Sequence, residues 1–453
     1  MQGYLLIGLL IAAILFIVYS TAKVKLHPFL ALLLACFGVG LLSGLPADET
    51  ITAITEGFGG TLGSIGIVIA AGTIIGSLLE KSGGTIVIAN LIIGWLGKAR
   101  SALAMSITGA IVSIPVYCDS GFVILSSLNR SLASKTKQSL ALYAVALSMG
   151  LYATHVFVPP TPGPIAAAGT LNADIGTVIL LGITVTIPVI FVTYLFAFTM
   201  GNRIYIDPDD MPTADKENMS SFHKTVDDAN LPGTTAALLP ILIPMLLIAF
   251  GSIADLPAEP FGDGWITAAI LFLGDPNTAL IIGVLLAFGT VPKRGPEVYG
   301  DWVGKGLKSA GVIILITGAG GAFGNVLRAT DIGSFLGESL AAWNLGILLP
   351  FIIAAALKTA QGSSTVSIIT TASIIVPMLP AIGLAEGLAP ALVTLAIGAG
   401  AMTVSHANDS YFWVVSQFSG MDVTQAYRLQ TLGSAVAGVT GITVVFILSL
   451  FLL

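Results

Sequence analysis

Long apolar runs, cut at intervals by short polar stretches, organise this chain. Uncharged runs cover 26–46 and 138–173, and a predominantly apolar run of about 18 residues or more reads as a membrane-spanning helix. Spans are predicted at 3–20, 27–45, 64–80, 139–159 and 175–200, then at 235–253, 278–292, 309–327, 391–407 and 433–453. One long polar segment, 201–232, carries seven acidic and three basic residues and divides the chain near its middle. Short charged segments at 48–56 and 299–308 read as interfacial helices. Two further apolar stretches, 101–132 and 345–382, are interrupted by Tyr117-Cys118-Asp119-Ser120-Gly121 and by Lys358-Thr359-Ala360-Gln361-Gly362-Ser363-Ser364-Thr365. Each half of these stretches has about 15 residues, against the ~20 that a span needs. That favours re-entrant hairpins of two half-helices over two full spans.

The two halves of the chain echo each other. Ala71-Gly72-Thr73-Ile74-Ile75-Gly76 answers to Ala319-Gly320-Gly321-Ala322-Phe323-Gly324 about 248 residues later. The Asp119-Ser120 interruption answers to Gln361-Gly362-Ser363 after about 242, and Tyr152-Ala153-Thr154-His155 to Thr403-Val404-Ser405-His406 after about 251. Broken segments at matching places in two halves mark an inverted-repeat transporter. The sequence therefore predicts an all-α polytopic membrane protein. Its first repeat is 1–200, with a hairpin at about 101–132 and a broken helix at about 139–170. A cytoplasmic linker follows at 201–232. The second repeat is 233–453, with a hairpin at about 345–382 and a broken helix at about 391–420.

Composition narrows the class. Only 9% of the 453 residues are charged and 55% are hydrophobic, where an average soluble chain is roughly a quarter charged. A soluble enzyme, a nucleic-acid binder, a disulfide scaffold and a disordered protein are excluded. Cys36 and Cys118 lie in apolar segments and read as buried thiols. The start of the chain lacks a basic n-region, so 3–20 reads as a first span and not a signal peptide.

Charge placement supplies an orientation. With five spans plus one hairpin per half and the N-terminus outside, 16 of the 18 basic residues fall on the inside. Lys358 falls in a hairpin and Arg328 outside. An odd number of spans per half starts the second half inside, upside down relative to the first, and leaves both termini outside. Reading either hairpin as a single span would flip every later loop and destroy this pattern.

Non-helical backbone inside a membrane is tolerated where it is buried in protein or lines a cavity. Four breaks are predicted: the hairpin tips at 119–121 and 361–365, and mid-span breaks at Val158-Pro159-Pro160-Thr161-Pro162-Gly163-Pro164 and Ser405-His406-Ala407-Asn408-Asp409-Ser410. A half-helix starts after each, and its free N–H groups and positive dipole end suit an anion. Asp119, Ser120, Thr161, Gln361, Ser363, Ser364, Thr365, Asn408 and Ser410 are the candidate substrate contacts, suited to a polyhydroxylated solute.

Asp119 and Asp409 are the two acids placed within the membrane. Each either caps the half-helix beside it or carries a proton. His155 and His406 either are neutral and hydrogen-bonded or take part in proton coupling or substrate contact. No third ligand accompanies them at a usable spacing, so no metal is expected. Lys358 either complements a half-helix C-terminus or pairs with the substrate carboxylate or Asp409. The 318–324 glycine run lacks the Gly-Lys-Ser/Thr ending of a phosphate loop. It permits a tight helix contact or a further break, with Asn325 either a cavity donor or an internally satisfied side chain.

At these residues the chain resembles the gluconate permease family, within the broader ion-transporter superfamily. The likeness is carried by Ile316-Thr317-Gly318-Ala319-Gly320-Gly321-Ala322-Phe323-Gly324, the Lys358–Thr365 motif, and Ser405-His406-Ala407-Asn408-Asp409-Ser410-Tyr411-Phe412-Trp413. In the first half it is carried by Pro115-Val116-Tyr117-Cys118-Asp119-Ser120-Gly121 and the stretch from His155 to Pro164. The resemblance implies proton-driven uptake of gluconate or a related sugar acid across a bacterial inner membrane, with D-serine and other small hydroxy acids as alternatives. It implies no cofactor beyond the proton. From the wider superfamily it implies a homodimer whose transport domains move as elevators. Sodium-coupled relatives there carry Ser-Asn-Thr at both hairpin tips. This chain has Asp119-Ser120-Gly121 and Gly362-Ser363-Ser364-Thr365, which favours protons.

Two other functions are distinguishable. A membrane-embedded enzyme using His406 and Asp409 would turn over substrate without compartments, and gains nothing from duplicated, inverted sites. A channel would show uncoupled flux faster than a carrier cycle.

Overall fold

A computed structural model describes residues 3–97, 100–208, 231–255, 261–262, 264–291, 295–330 and 345–453. Most of the predicted linker, together with Lys98, Lys216, Lys224, Lys293 and Arg294, lies outside the described residues. Every described element is helical.

The first half runs through α1 (Gly3–Ala22), α2 (Pro28–Ser43), α3 (Ala47–Lys81), α4 (Gly84–Leu96), α5 (Ser101–Val112), α6 (Cys118–Thr136), α7 (Leu140–Phe157), α8 (Pro162–Leu171) and α9 (Ile175–Arg203). The second runs through α10 (Thr234–Ala254), α11 (Trp265–Gly274), α12 (Pro276–Ala287), α13 (Val303–Ala329), α14 (Leu348–Gln361), α15 (Ser364–Ile375), α16 (Ala389–Met402), α17 (Ser410–Phe418), α18 (Val423–Ala426) and α19 (Leu432–Leu452). Among the described residues, six helical runs are long and apolar enough to cross a membrane, and the bent α11–α12 pair makes a seventh.

Local sequence accounts for most boundaries. Pro28 opens α2 and left-handed Gly44 closes it. Asp174, Asp275 and Asp422 accept backbone N–H groups at the starts of α9, α12 and α18. Three of the four breaks fall where Pro or Gly interrupts an apolar run: Pro115 before α6, Pro159 and Pro160 between α7 and α8 with Pro162 and Pro164 in the first turn of α8, and left-handed Gly362 between α14 and α15. The break at 403–409 has neither residue and turns at left-handed Val404. At 12 residues each, α5 and α15 are about 18 Å long, well short of the ~30 Å of a bilayer core.

Three features depart from the sequence reading. The charged segment 48–56 is not a separate interfacial helix, because it continues without a break into the 35-residue α3. The segment 299–308 likewise runs through a π turn at Val298–Trp302 into α13. Two helices that the pattern did not predict, α4 and α11, have 13 and 10 residues, below the length that marks a span.

The glycine run at 318–324 lies inside α13 with no break. It lets α13 approach α3 so closely that a Cβ on Gly57 would lie 2.6 Å from the Gly321 carbonyl, and one on Gly318 would strike Phe58. Of the two readings for this run, tight helix contact is what the structure has. Asn325 donates to the Ala53 carbonyl across that contact at 2.9 Å.

At the centre, every residue of α7 and of α16 is buried. The adjoining half-helices α8 and α15 pack on each other, with Gly163 against Ile368.

Candidate functional site

Three breaks meet at a cavity of about 260 Å³. The α6 break contributes Tyr117, Cys118 and Asp119. The α14–α15 tip contributes the run from Gln361 to Thr365, and the α16–α17 break contributes Asn408, Asp409, Ser410 and Tyr411. His155, in the last turn of α7, completes the wall.

The break geometry is specific to these residues. Gly362 has φ +84°, and a Cβ there would press into the Asn408 backbone, so the tip accepts only glycine. Val404 is a β-branched residue at φ +57°, a conformation costing about 1–3 kcal/mol. It is held there because its neighbour is tied down on both sides: the Ser405 N–H donates to Ser434 Oγ at 2.9 Å, and Thr431 donates to the Ser405 carbonyl at 2.6 Å.

The two acids differ sharply in their surroundings. Asp409 caps α17, accepting the Tyr411 N–H at 3.1 Å. Its other oxygen accepts from Ser405 Oγ at 2.5 Å and pairs with the Lys358 ammonium at 2.6 Å. Lys358 is fully buried, also donates to the Gly362 carbonyl, and lies 5.8 Å from the centre of the Tyr152 ring. Asp119 is the second residue of α6 and caps nothing. Its carboxylate has two long contacts, from Ser410 Oγ at 3.4 Å and the Cys118 thiol at 3.7 Å.

Helix N-termini supply donors. The first N–H groups of a helix have no intrahelical acceptor, and those of α6, α15 and α17 start on the cavity wall. The α8 N-terminus does not contribute, because Pro162 and Pro164 carry no N–H and Gly163 is covered by Ile368. Three buried polar atoms on the wall, Tyr117 OH, His155 Nδ1 and Gln361 Nε2, have no partner. A buried donor or acceptor left unpaired costs about 1–3 kcal/mol, which a polar solute in the cavity would recover.

Of the residues expected from sequence, Asp119, His155, Gln361, Ser363, Ser364, Thr365, Asn408, Asp409 and Ser410 line the cavity. Four do not. Ser120 follows Asp119 on α6. Thr161 turns its hydroxyl onto the Val158 carbonyl at 2.7 Å. His406 meets the Thr359 carbonyl at 2.9 Å, where Asn408 Nδ2 also donates. Lys358 lies behind the wall on Asp409 and so faces no solute carboxylate.

Sequence reasoning passed over Tyr117, Gly362, Tyr152 and Tyr411 as site residues. Tyr152 OH bonds Ser364 Oγ at 2.8 Å, and Tyr411 OH donates to the Ser148 carbonyl at 3.0 Å. Tyr117 and Tyr411 each stand beside a break in the sequence, which was the available signal.

Apolar helices long enough to cross a bilayer, broken around a polar cavity lined with helix N-termini, define a membrane permease. The sequence matches the profile of the GntP family permeases over residues 4–451, and the chain belongs to that family. It is 38% identical to an uncharacterized permease of Haemophilus influenzae, over 97% of this chain and 91% of that one. It is 34% identical to a gluconate permease of Pseudomonas aeruginosa, over 100% and 99%. It is also 34% identical to a D-serine transporter of Escherichia coli K12, over 98% of each. The fold is similar to that of the Alcanivorax borkumensis YdaH transporter, with a TM-score of 0.66, 14% identity and coverage of 94% and 99%. The protein is thus a multi-pass membrane permease and not an enzyme.

Proposed function

We propose that this permease couples proton entry to the uptake of gluconate or a related sugar acid across a bacterial inner membrane. The observation that carries this reading is the contrast between the two acids. Asp409 is neutralised by Lys358, whereas Asp119 faces the cavity with no cation beside it. A solute carboxylate on the N-termini of α6, α15 and α17 would confront an ionised Asp119 at close range. A proton on Asp119 removes that repulsion, and the site loaded with both carries a single negative charge, as the empty site does, instead of the two that solute and ionised Asp119 would bring together into the barrier. His155 offers its unpaired Nδ1 to a hydroxyl, as Gln361 does with Nε2. The name of the Pseudomonas relative supports the substrate class.

In the same reading the halves 1–200 and 233–453 are inverted repeats, both termini face outward and 201–232 is cytoplasmic. The helices carrying the breaks move as an elevator within a homodimer. The repeated sequence signatures and the charge asymmetry of the loops support the topology.

D-serine is the second reading, favoured by the Escherichia relative. The ammonium of a zwitterion would pair directly with ionised Asp119 and would need no proton there.

Uptake of labelled gluconate into proteoliposomes tests the proposal. An inward proton gradient is expected to drive accumulation that excess gluconate suppresses and D-serine does not. Accumulation indifferent to the gradient would remove proton coupling, and suppression by D-serine alone would replace the substrate.

A further inference from the structure

Tyr117 ends in a hydroxyl that is buried on the wall of the central cavity and has no partner. His155 is 5% exposed and its Nδ1 is likewise unpartnered, as is Nε2 of Gln361. Among the described residues, these three are the cavity-lining side chains with a buried polar atom left over. They come from three different elements: the residue before α6, the last turn of α7 and the end of α14. The Tyr117 and His155 rings are neighbours, with centroids 6.1 Å apart.

The donor and acceptor character of the trio selects a kind of solute group. The Gln361 amide nitrogen only donates, the Tyr117 phenol donates and accepts, and an imidazole nitrogen does either according to its tautomer. An ammonium only donates, so it cannot serve Gln361. A carboxylate only accepts, and it is opposed by the negative ends of the α7 and α14 dipoles, where His155 and Gln361 stand. An alcohol is uncharged, donates once and also accepts. It answers all three. The carboxylate of the same solute keeps its place on the N-termini of α6, α15 and α17.

We propose that Tyr117, with His155 and Gln361, determines specificity by bonding hydroxyls along the carbon chain of the solute, so that the cavity selects long aldonic acids over short ones. The inference rests on the sugar-acid reading of the cavity and adds the residues that measure the chain. Each further CHOH unit brings a hydroxyl with little apolar surface, so affinity gained with length reports hydrogen bonds and not burial.

Competition against labelled gluconate, bound to the full-length protein in detergent, tests this with glycolate, glycerate, threonate and gluconate as competitors. Affinity is expected to rise about a hundredfold from glycolate to gluconate, since three neutral hydrogen bonds contribute roughly fivefold each. Tyr117→Phe keeps the ring beside His155 and removes the hydroxyl. It is expected to lower the ratio of gluconate to glycolate affinity about fivefold, and Gln361→Met to do the same. A side chain that only supported the fold would weaken both acids together and leave the ratio where it was. That result, in Tyr117→Phe, overturns the inference. If Tyr117→Phe does not fold, the ratio in Gln361→Met decides in the same way. Gluconate binding by the wild-type protein without any dependence on chain length overturns the inference and leaves the sugar-acid reading standing. Absence of gluconate binding overturns both.

Discussion

Lys358 and Asp409, 51 residues apart in sequence, form an ion pair at 2.6 Å, with the lysine wholly buried. The pair joins the tip between α14 and α15 to the break before α17. Those two segments are also joined by the contacts of His406 and Asn408 with the Thr359 carbonyl. One wall of the cavity is therefore stapled, while Asp119 on the opposite wall reaches it through Ser410 alone.

Removing one member of that staple strands a buried charge. Lys358→Met is expected to destabilise the protein by about 3–5 kcal/mol. The double variant Lys358→Met with Asp409→Asn should recover part of the loss, because no unpaired charge remains. Thermal unfolding in detergent measures both. A double variant less stable than the single one would show that the pair is not the staple described.

Asp119→Asn separates coupling from binding. For a sugar-acid symporter, gradient-driven accumulation is lost while counterflow of gluconate is kept, since the amide mimics the protonated acid. A carrier of a zwitterion would instead lose counterflow, because the partner of the ammonium is gone. Paired uptake and counterflow assays on one preparation distinguish the two outcomes.

Gly362→Ala forces a side chain into a left-handed position against the Asn408 backbone. The strain alone is of order 1–3 kcal/mol, and relieving it must displace Ser363 and Ser364 from the cavity. Solute affinity should fall by tenfold or more, as about 1.4 kcal/mol is a factor of ten. Unchanged affinity in a binding titration would mean that the tip does not position the solute.

Tyr152→Phe deletes the hydroxyl that bonds Ser364 while keeping the ring beside Lys358. A loss of about 0.5–1.5 kcal/mol is expected, seen as a higher KM for uptake with little change in fold stability. Equal losses in KM and in melting temperature would assign Tyr152 to packing instead.

The chain advertised its breaks because Pro and Gly act locally. Pro115, the proline cluster at 159–164 and Gly362 interrupt helices whatever surrounds them, and the small polar residues beside them stand out against an apolar background. The long α3 was illegible for the opposite reason. Its charged first turns look like a surface segment, and nothing local says that the helix continues. Thr161 illustrates a further limit. Its position after a break suggested a cavity, but two prolines strip α8 of donors and Ile368 covers the rest.

Sequence alone determined that this is a multi-pass helical membrane protein, where its helices break and which family it resembles, because hydropathy and backbone stereochemistry are properties of short windows. Only the tertiary structure decided that Lys358 belongs to Asp409, that Asp119 is left without a cation, and that His406 turns away while His155 lines the cavity. Those outcomes depend on which of several equivalent breaks meet in space. Contacts between residues as far apart as Asp119 and Ser410 are set by the packing of whole helices, and no local pattern encodes them.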